Sequence, residues 1–349
     1  PAEPDKWTHP PFGGHIADGC IWGRGTVDMK NMTIYCLMAL LLLKRKGVKL
    51  YRDAIFCAVA DEEAGSENGM EWLAKNHPDL IRAEYALNES GGFTVHVGGR
   101  RFYPIQVAEK GVLWVRLRAR GEPGHGSMPH EQNAVVHVVK AVNTLARHRF
   151  PQMKTQPLVN FVHGISTNVS FPLSLIMRGL FVKGLSPLLL KIMPDKDQSK
   201  VFHACLHNTV CPTGLEAGQK INVIPSEASA LLDCRTLPGT PPEEFLEELK
   251  RIAGPGIEFE VIKKDSPTTM AVDTPLYRAI VSAVERNDPG ARAVPYMVTG
   301  FTDAKPLADI GITTYGFSPI KFGPDLKYNR LFHGHDERIP VEGFRWGLK

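Results

Sequence analysis

Several things the chain lacks narrow its reading before any motif is considered. Its six cysteines (positions 20, 36, 57, 205, 211 and 234) form no Cys-x-x-Cys pair, and three lie inside apolar runs. This favours reduced, buried thiols and a reducing, cytoplasmic compartment over a disulfide frame. Charge of one sign is also scarce, at a net +4 over 349 residues. Lys and Arg are scattered rather than gathered in a stripe, so neither nucleic acid nor an anionic membrane is implied as a partner. No phosphate-cradling glycine loop follows the first apolar strand, which disfavours a metal-free sugar- or nucleotide-binding α/β protein. No long uninterrupted hydrophobic run is present either. The most apolar stretch, Phe171 to Met193, carries Arg178, Lys183 and Lys191 and is broken by Gly179, Gly184 and Pro187. It predicts buried lid helices or an apolar substrate wall, not a membrane span. There is no repeat and no low-complexity segment. The sequence opens on Pro1 without a signal sequence or a methionine, so a secretory signal upstream stays open.

What is present is an ordinary globular composition, 43% hydrophobic and 22% charged, long enough for two domains. The chain is organised around Ile55 to Glu63. Here an apolar run with β-branched and aromatic character, read as a buried strand, ends in the adjacent acids Asp61, Glu62 and Glu63. Ligands of open α/β sheets gather at such strand ends. Three like charges repel unless a cation sits among them or one acid keeps its proton.

Two other segments end in an acid. Trp22 to Asn31 brings Asp28 just ahead of an apolar helix, Met32 to Leu43, closed by Gly47; Asp28 reads either as a helix N-cap or as a ligand. A short helix runs through Trp72 to Asn76, and the strand Tyr85 to Asn88 is followed by Glu89 and then glycines. From Lys110 the pattern changes. Val112 to Arg120 alternates like a half-exposed antiparallel strand, followed by a helix over 133–148, a strand near 228–235, a helix over 242–252 and a strand over 257–263. These predict an inserted α+β, ferredoxin-like lid or dimerisation domain. The expected division is a mixed-sheet α/β catalytic domain in two parts, 1–108 and 267–349, with the insert at 109–266. A helix from Pro275 to Arg286, a turn at 299–303, a strand over 312–317 and the segment Leu331 to Glu337 complete the chain.

Asp28, Glu63, Glu89 and one C-terminal histidine make an oxygen and nitrogen ligand set of the kind zinc accepts, and a carboxylate bridging two ions would let several acids converge while ionised. Glu62, beside a ligand, is the natural general base. Short metal signatures such as His-Glu-x-x-His are absent, so the constellation is long-range. Arg235 could hold a substrate carboxylate with its planar fork or pair with Asp233. Asp61 and Glu337 are expected to orient ligands rather than bind metal.

Taken in order, Gly23-Arg24-Gly25-x-x-Asp28-Met29-Lys30, Asp61-Glu62-Glu63, Asn88-Glu89-Ser90-Gly91-Gly92, Gly124-His125-Gly126-Ser127-Met128-Pro129-His130, Ile221 to Ala228 with Asp233-Cys234-Arg235, and Phe332-His333-Gly334-His335-Asp336-Glu337 resemble the motifs of a known family. It is the co-catalytic zinc metallopeptidase family that includes aminoacylase, carboxypeptidase G, acetylornithine deacetylase and succinyl-diaminopimelate desuccinylase. The resemblance spans essentially the whole chain. It implies that Asp28 bridges two zinc ions, with Glu63 and His333 on one and Glu89 on the other; His333 is preferred to His335 because the motif sets the ligand directly before the glycine. Cobalt or manganese could substitute. Glu62 matches the general base, and His125 the lid histidine that reaches into the partner's site of a homodimer. Asn222 and Arg235 match substrate-carboxylate binders, with Gly300 and Thr302 in a loop beside that pocket. The family's His-x-Asp motif has no counterpart; His15 and Asp18 are spaced differently. The resemblance therefore implies a chain cut within its first active-site strand and stopping early at Lys349, with the Glu89 ion held less well than the other. The implied activity is hydrolysis of an amide bond next to a free carboxylate, in an N-acyl amino acid or peptide. A hydrophobic or long acyl group is suggested by 171–193. The rival is a non-catalytic scaffold acting by dimerisation or binding.

Overall fold

The computed structural model describes all residues but 1, 183, 194 and 327. Two short strands, β1 (His15–Ala17) and β2 (Cys20–Trp22), precede α1 (Lys30–Arg45), α2 (Met70–Asn76), β3 (Tyr85–Asn88), β4 (Val95–Val97) and the long strands β5 (Arg100–Glu109) and β6 (Gly111–Arg120). β7 (Gly124–His125) and α3 (Ala134–Arg147) lead to α4 (Gln156–Ser166), α5 (Leu173–Gly179), α6 (Ser186–Ile192) and α7 (Lys196–Leu206). Next come β8 (Thr209–Ala217), β9 (Val223–Ile224), β10 (Glu227–Thr236), α8 (Pro242–Ala253), β11 (Ile257–Asp265) and β12 (Thr268–Thr269). The chain ends with α9 (Pro275–Asn287), β13 (Arg292–Val298), α10 (Ala304–Asp309), β14 (Thr313–Gly316), β15 (Arg338–Pro340) and α11 (Val341–Gly347).

Local chemistry sets these limits. Asn133 and Asp195 accept the first free N–H groups of α3 and α7 through their side chains, and Thr274 does so for α9. Gly47, at φ +62°, turns the chain out of α1. β6 alternates buried and half-buried residues, as a strand with a helix layer on one face should.

The inserted domain is the expected ferredoxin-like unit. Its sheet runs β11-β6-β10-β8, with every neighbouring pair antiparallel, and α3 and α8 share its core through Val138, Leu145, Phe245 and Leu249. The other large sheet is mixed. β13 runs parallel to β5, β14 parallel to β3, and β14 meets β5 antiparallel. β5 is buried on both faces along most of its length.

Two expectations need correcting. The helices expected in 171–193 form, but they join the main core rather than that of the inserted domain. Met177, Leu180, Leu189 and Leu190 pack into the core built on β5, β13 and α4, because that apolar sheet face would otherwise meet water. The 109–266 stretch thus contributes to two cores. The buried strand expected over Ile55 to Val59 also does not form. These residues carry no regular secondary structure and pair with no strand among the described residues, and Ile55, Phe56 and Cys57 are exposed. An apolar run becomes a strand only when a neighbouring strand satisfies its backbone groups, and here only Val59 packs, against α2 and α10.

Candidate metal centre

Asp28 is placed by a carboxylate 309 residues away in sequence. Glu337 is fully buried and accepts backbone N–H bonds from Gly25 (2.9 Å), Val27 (2.8 Å) and Asp28 (3.1 Å), plus one from Arg24 Nη1 (2.8 Å). Arg24 Nη2 also donates to the Gly334 carbonyl at 2.6 Å. One guanidinium and one carboxylate thereby fasten the Asp28 loop to the His333 loop. Asp28 is not the cap of α1, a position taken by Met29. Glu337 plays the orienting part expected of it.

Glu62 and Glu63 sit in a tight helical turn that starts at Asp61, whose φ is +71°. Asp61 fixes that turn rather than facing the cluster, since its Oδ2 accepts from Asn68 N at 2.8 Å and Asn68 Nδ2 at 3.1 Å. Ser66 donates to Asp303 Oδ1 at 2.5 Å and Lys263 Nζ to the Gly65 carbonyl at 2.6 Å, tying the turn to the 299–303 loop and to the inserted domain. Gly69 is obligatory, because a Cβ there would lie 1.9 Å from the Ala60 carbonyl oxygen.

These segments bring three of the four expected ligands into one cluster. His333 Nε2 lies 3.0 Å from Asp28 Oδ2 and 3.0 Å from Glu63 Oε2, and the three donor atoms fall within 4.8 Å of one another. Glu89 follows β3, is buried, and hydrogen-bonds Asp28. Burial raises its carboxyl well above the usual range, helped by the charges of Glu62 and Asp28. Glu62 is pushed up to about 8, first by burial and then by Asp303, Glu63, Asp28 and Glu109. The chemistry of this donor set, two carboxylates and an imidazole with further unneutralised acids around them, fits a divalent cation.

Other expected residues lie elsewhere. His125 is exposed on the β7–β9 ribbon with Nδ1 2.7 Å from Ser127 Oγ, and the Asn222 carbonyl accepts from Gly126 N at 2.8 Å. They neighbour each other, but no described contact joins either to the cluster. Arg235 is paired with Asp233 in this structure. It donates two bonds to Asp233 (2.6 and 3.0 Å), though its Nη1 is buried without a partner and its guanidinium lies 5.6 Å from the Phe301 ring. Gly300 borders open space. Thr302, expected beside substrate, is buried instead. Its hydroxyl donates to Glu109 Oε1 and accepts from Asn88 Nδ2 and Ala304 N, leaving no capacity for a ligand. His335 meets Glu3 rather than the cluster, and His15 stacks on His9.

Sequence reasoning missed Glu109, a buried acid pushed up to about 7 by burial, which links through Thr302 and Asn88 towards Glu89. Its one signal was the charged pair Glu109-Lys110 between two apolar strands. Lys110 turns the other way, donating to the Ala204 and His207 carbonyls at 2.9 and 2.8 Å behind α7.

The model of peptidase family M20/M25/M40 matches residues 1–349. The chain is 29% identical to the N-fatty-acyl-amino acid synthase/hydrolase PM20D1 of Xenopus tropicalis, over 98% of this chain and 67% of that protein. It is likewise 29% identical to aminoacylase-1 of Sus scrofa, over 100% of this chain and 74% of the relative. The probable carboxypeptidase S-like 2 of Dictyostelium discoideum is 27% identical and is spanned over 66% of its length. Among solved structures, the M20 family metallo-carboxypeptidase Sso-CP2 of Sulfolobus solfataricus superposes with a TM-score of 0.72 at 19% identity, covering all of this chain and 80% of that one.

Proposed function

Because the chain belongs to peptidase family M20/M25/M40, a family of metal-dependent hydrolases, we propose that it cleaves an amide bond next to a free carboxylate. The observation that carries this reading is the convergence of Asp28, Glu63 and His333 within 4.8 Å beside Glu62, a carboxyl pushed up to about 8. A divalent ion, zinc by the chemistry of the donors, would supply Lewis-acid polarisation of the scissile carbonyl and acidify the attacking water. Asp28, Glu63 and His333 would hold that ion, and Glu89, hydrogen-bonded to Asp28, would help to hold a second. Glu62, adjacent to the ligand Glu63, takes the proton from water and returns it to the leaving amine. Arg235, with one buried N–H group free, anchors the substrate carboxylate together with Asn222 and the open backbone at Gly300.

The relatives' names support an N-acyl amino acid or small peptide as substrate. We place His125 at the partner's site in a homodimer. The apolar surface of its domain, with Leu215, Ile221 and Val223 exposed, supports that assembly. All six cysteines are unpaired, in keeping with a cytoplasmic setting. Glu62→Gln is expected to lower hydrolysis of N-acyl amino acids at least 10²-fold while zinc content, measured by mass spectrometry, stays unchanged. Undiminished turnover would refute the assignment. Zinc binding without turnover in the unaltered chain would favour the scaffold.

A further inference from the structure

The helices α5 and α6 have one apolar side committed to the core and a second apolar side with no covering. Phe171 is 78% exposed, Leu175 62%, Leu188 54% and Ile192 61%, whereas Met177, Leu180, Leu189 and Leu190 are buried against the mixed sheet. A helix that is apolar all round normally lies inside a protein or in a lipid environment. Crossing a bilayer is excluded by length, since each helix has seven residues and no helix among the described residues is long and apolar enough.

Charge identifies what covers this side. The chain carries 37 Asp and Glu, yet the stretch 132–194 contains none, and its charged residues are all cations, including exposed Arg149, Lys154, Arg178 and Lys191. The next carboxylates are engaged: Asp195 caps α7, and Asp197 pairs with Arg330 at 2.8 Å. A second copy docking here through its own α5–α6 would set like charges face to face. A negatively charged lipid surface would take up both the exposed apolar side chains and the cations. We infer that α5 and α6 dock the protein on anionic membrane surfaces, with Phe171, Leu175, Leu188 and Ile192 at the headgroup boundary and the surrounding Lys and Arg facing the headgroups. This does not depend on the catalytic reading, and it replaces the expectation of no membrane contact drawn from overall charge.

The test is flotation of the full chain with phosphatidylcholine vesicles that contain or lack phosphatidylserine, in low and high salt. Binding is expected to anionic vesicles only, to fall with salt, to weaken roughly fivefold when Lys191 is changed to Gln, and to be lost in Leu175→Asp/Leu188→Asp. Both leucines are exposed, so the double variant should keep the circular dichroism and melting of the parent. If it does not fold, the salt series and Lys191→Gln decide. No flotation, or equal binding to neutral vesicles unaffected by salt and by Lys191→Gln, overturns the inference. So does a double variant that floats normally but turns a dimer into a monomer, since the occupant would then be a second copy.

Discussion

Changing Glu337 to Gln should damage both stability and metal affinity, although the residue is not itself one of the clustered ligands. Both carboxylate oxygens are fully buried: one accepts from Val27 and Asp28, the other from Gly25 and Arg24. Glutamine keeps one acceptor, but its NH₂ group must face either the two backbone N–H groups or a backbone N–H and a guanidinium, so donors meet donors with no water to relieve them. Removing one partner of a buried ion pair costs about 3–5 kcal/mol. The loosened loop carries Asp28, and losing support behind a metal ligand typically weakens metal binding about 10–100-fold. Urea denaturation of the chelator-treated protein measures the first effect, and competition against a chromophoric zinc chelator the second. Asp336→Asn is the control, because among the described residues the Asp336 side chain makes two exposed bonds, both to Thr8, a contribution near 1 kcal/mol. If Glu337→Gln shifts stability no more than that control and binds zinc as tightly as the parent, Glu337 does not position Asp28.

Three further outcomes are expected. In metal-free protein the Glu62 carboxyl holds a proton up to about pH 8 when folded but releases it near 4.5 when unfolded. Folded chains therefore bind more protons between those values, and stability drops as pH rises across that window. Glu62→Gln escapes this, and at pH 8 in chelator it should exceed the parent by on the order of 1–2 kcal/mol; a less stable variant in a urea melt contradicts the burial of Glu62. Lys110 behaves oppositely, since burial lowers its affinity for protons to about 7. The parent should thus gain on Lys110→Met as pH climbs from about 7 towards 10, by less than about 1.4 kcal/mol per pH unit, and a gap independent of pH in thermal melts would refute this. His333→Ala removes the only imidazole of the cluster and should weaken zinc binding by at least about tenfold in titration calorimetry; unchanged affinity would move the site elsewhere.

The inserted domain was legible because β6 and β10 each bury one face and β11 half-buries Ile257 and Phe259, so alternation betrays the strands and the helices between them. The mixed sheet was less so. β5 is buried on both faces and contains Pro104, so neither alternation nor propensity marks it. Ile55 to Val59 failed for the converse reason: the residues suit a strand, but pairing depends on a neighbour elsewhere in the sequence. Within the site, acids at the ends of apolar segments pointed to Asp28, Glu63 and Glu89, whereas the choice of His333 over His335 came from the family resemblance. Thr302 and Glu109 could not be assigned correctly. Whether a hydroxyl faces a substrate or a buried carboxylate is decided by packing between β5 and the 299–303 loop, and no local pattern records it.

The bonding of Gly25 to Glu337 spans 312 residues, and His333 reaches Asp28 and Glu63 across a similar distance. An ion seated among those three side chains would act as a removable cross-link between the two ends of the fold. Closing so long a loop carries a large entropic penalty in the unfolded chain, so this corner should assemble late in folding and be the first to open when a chelator withdraws the ion. Proteolysis would then cut near Arg24 and near Arg330 together, with the sheet around β5 still intact.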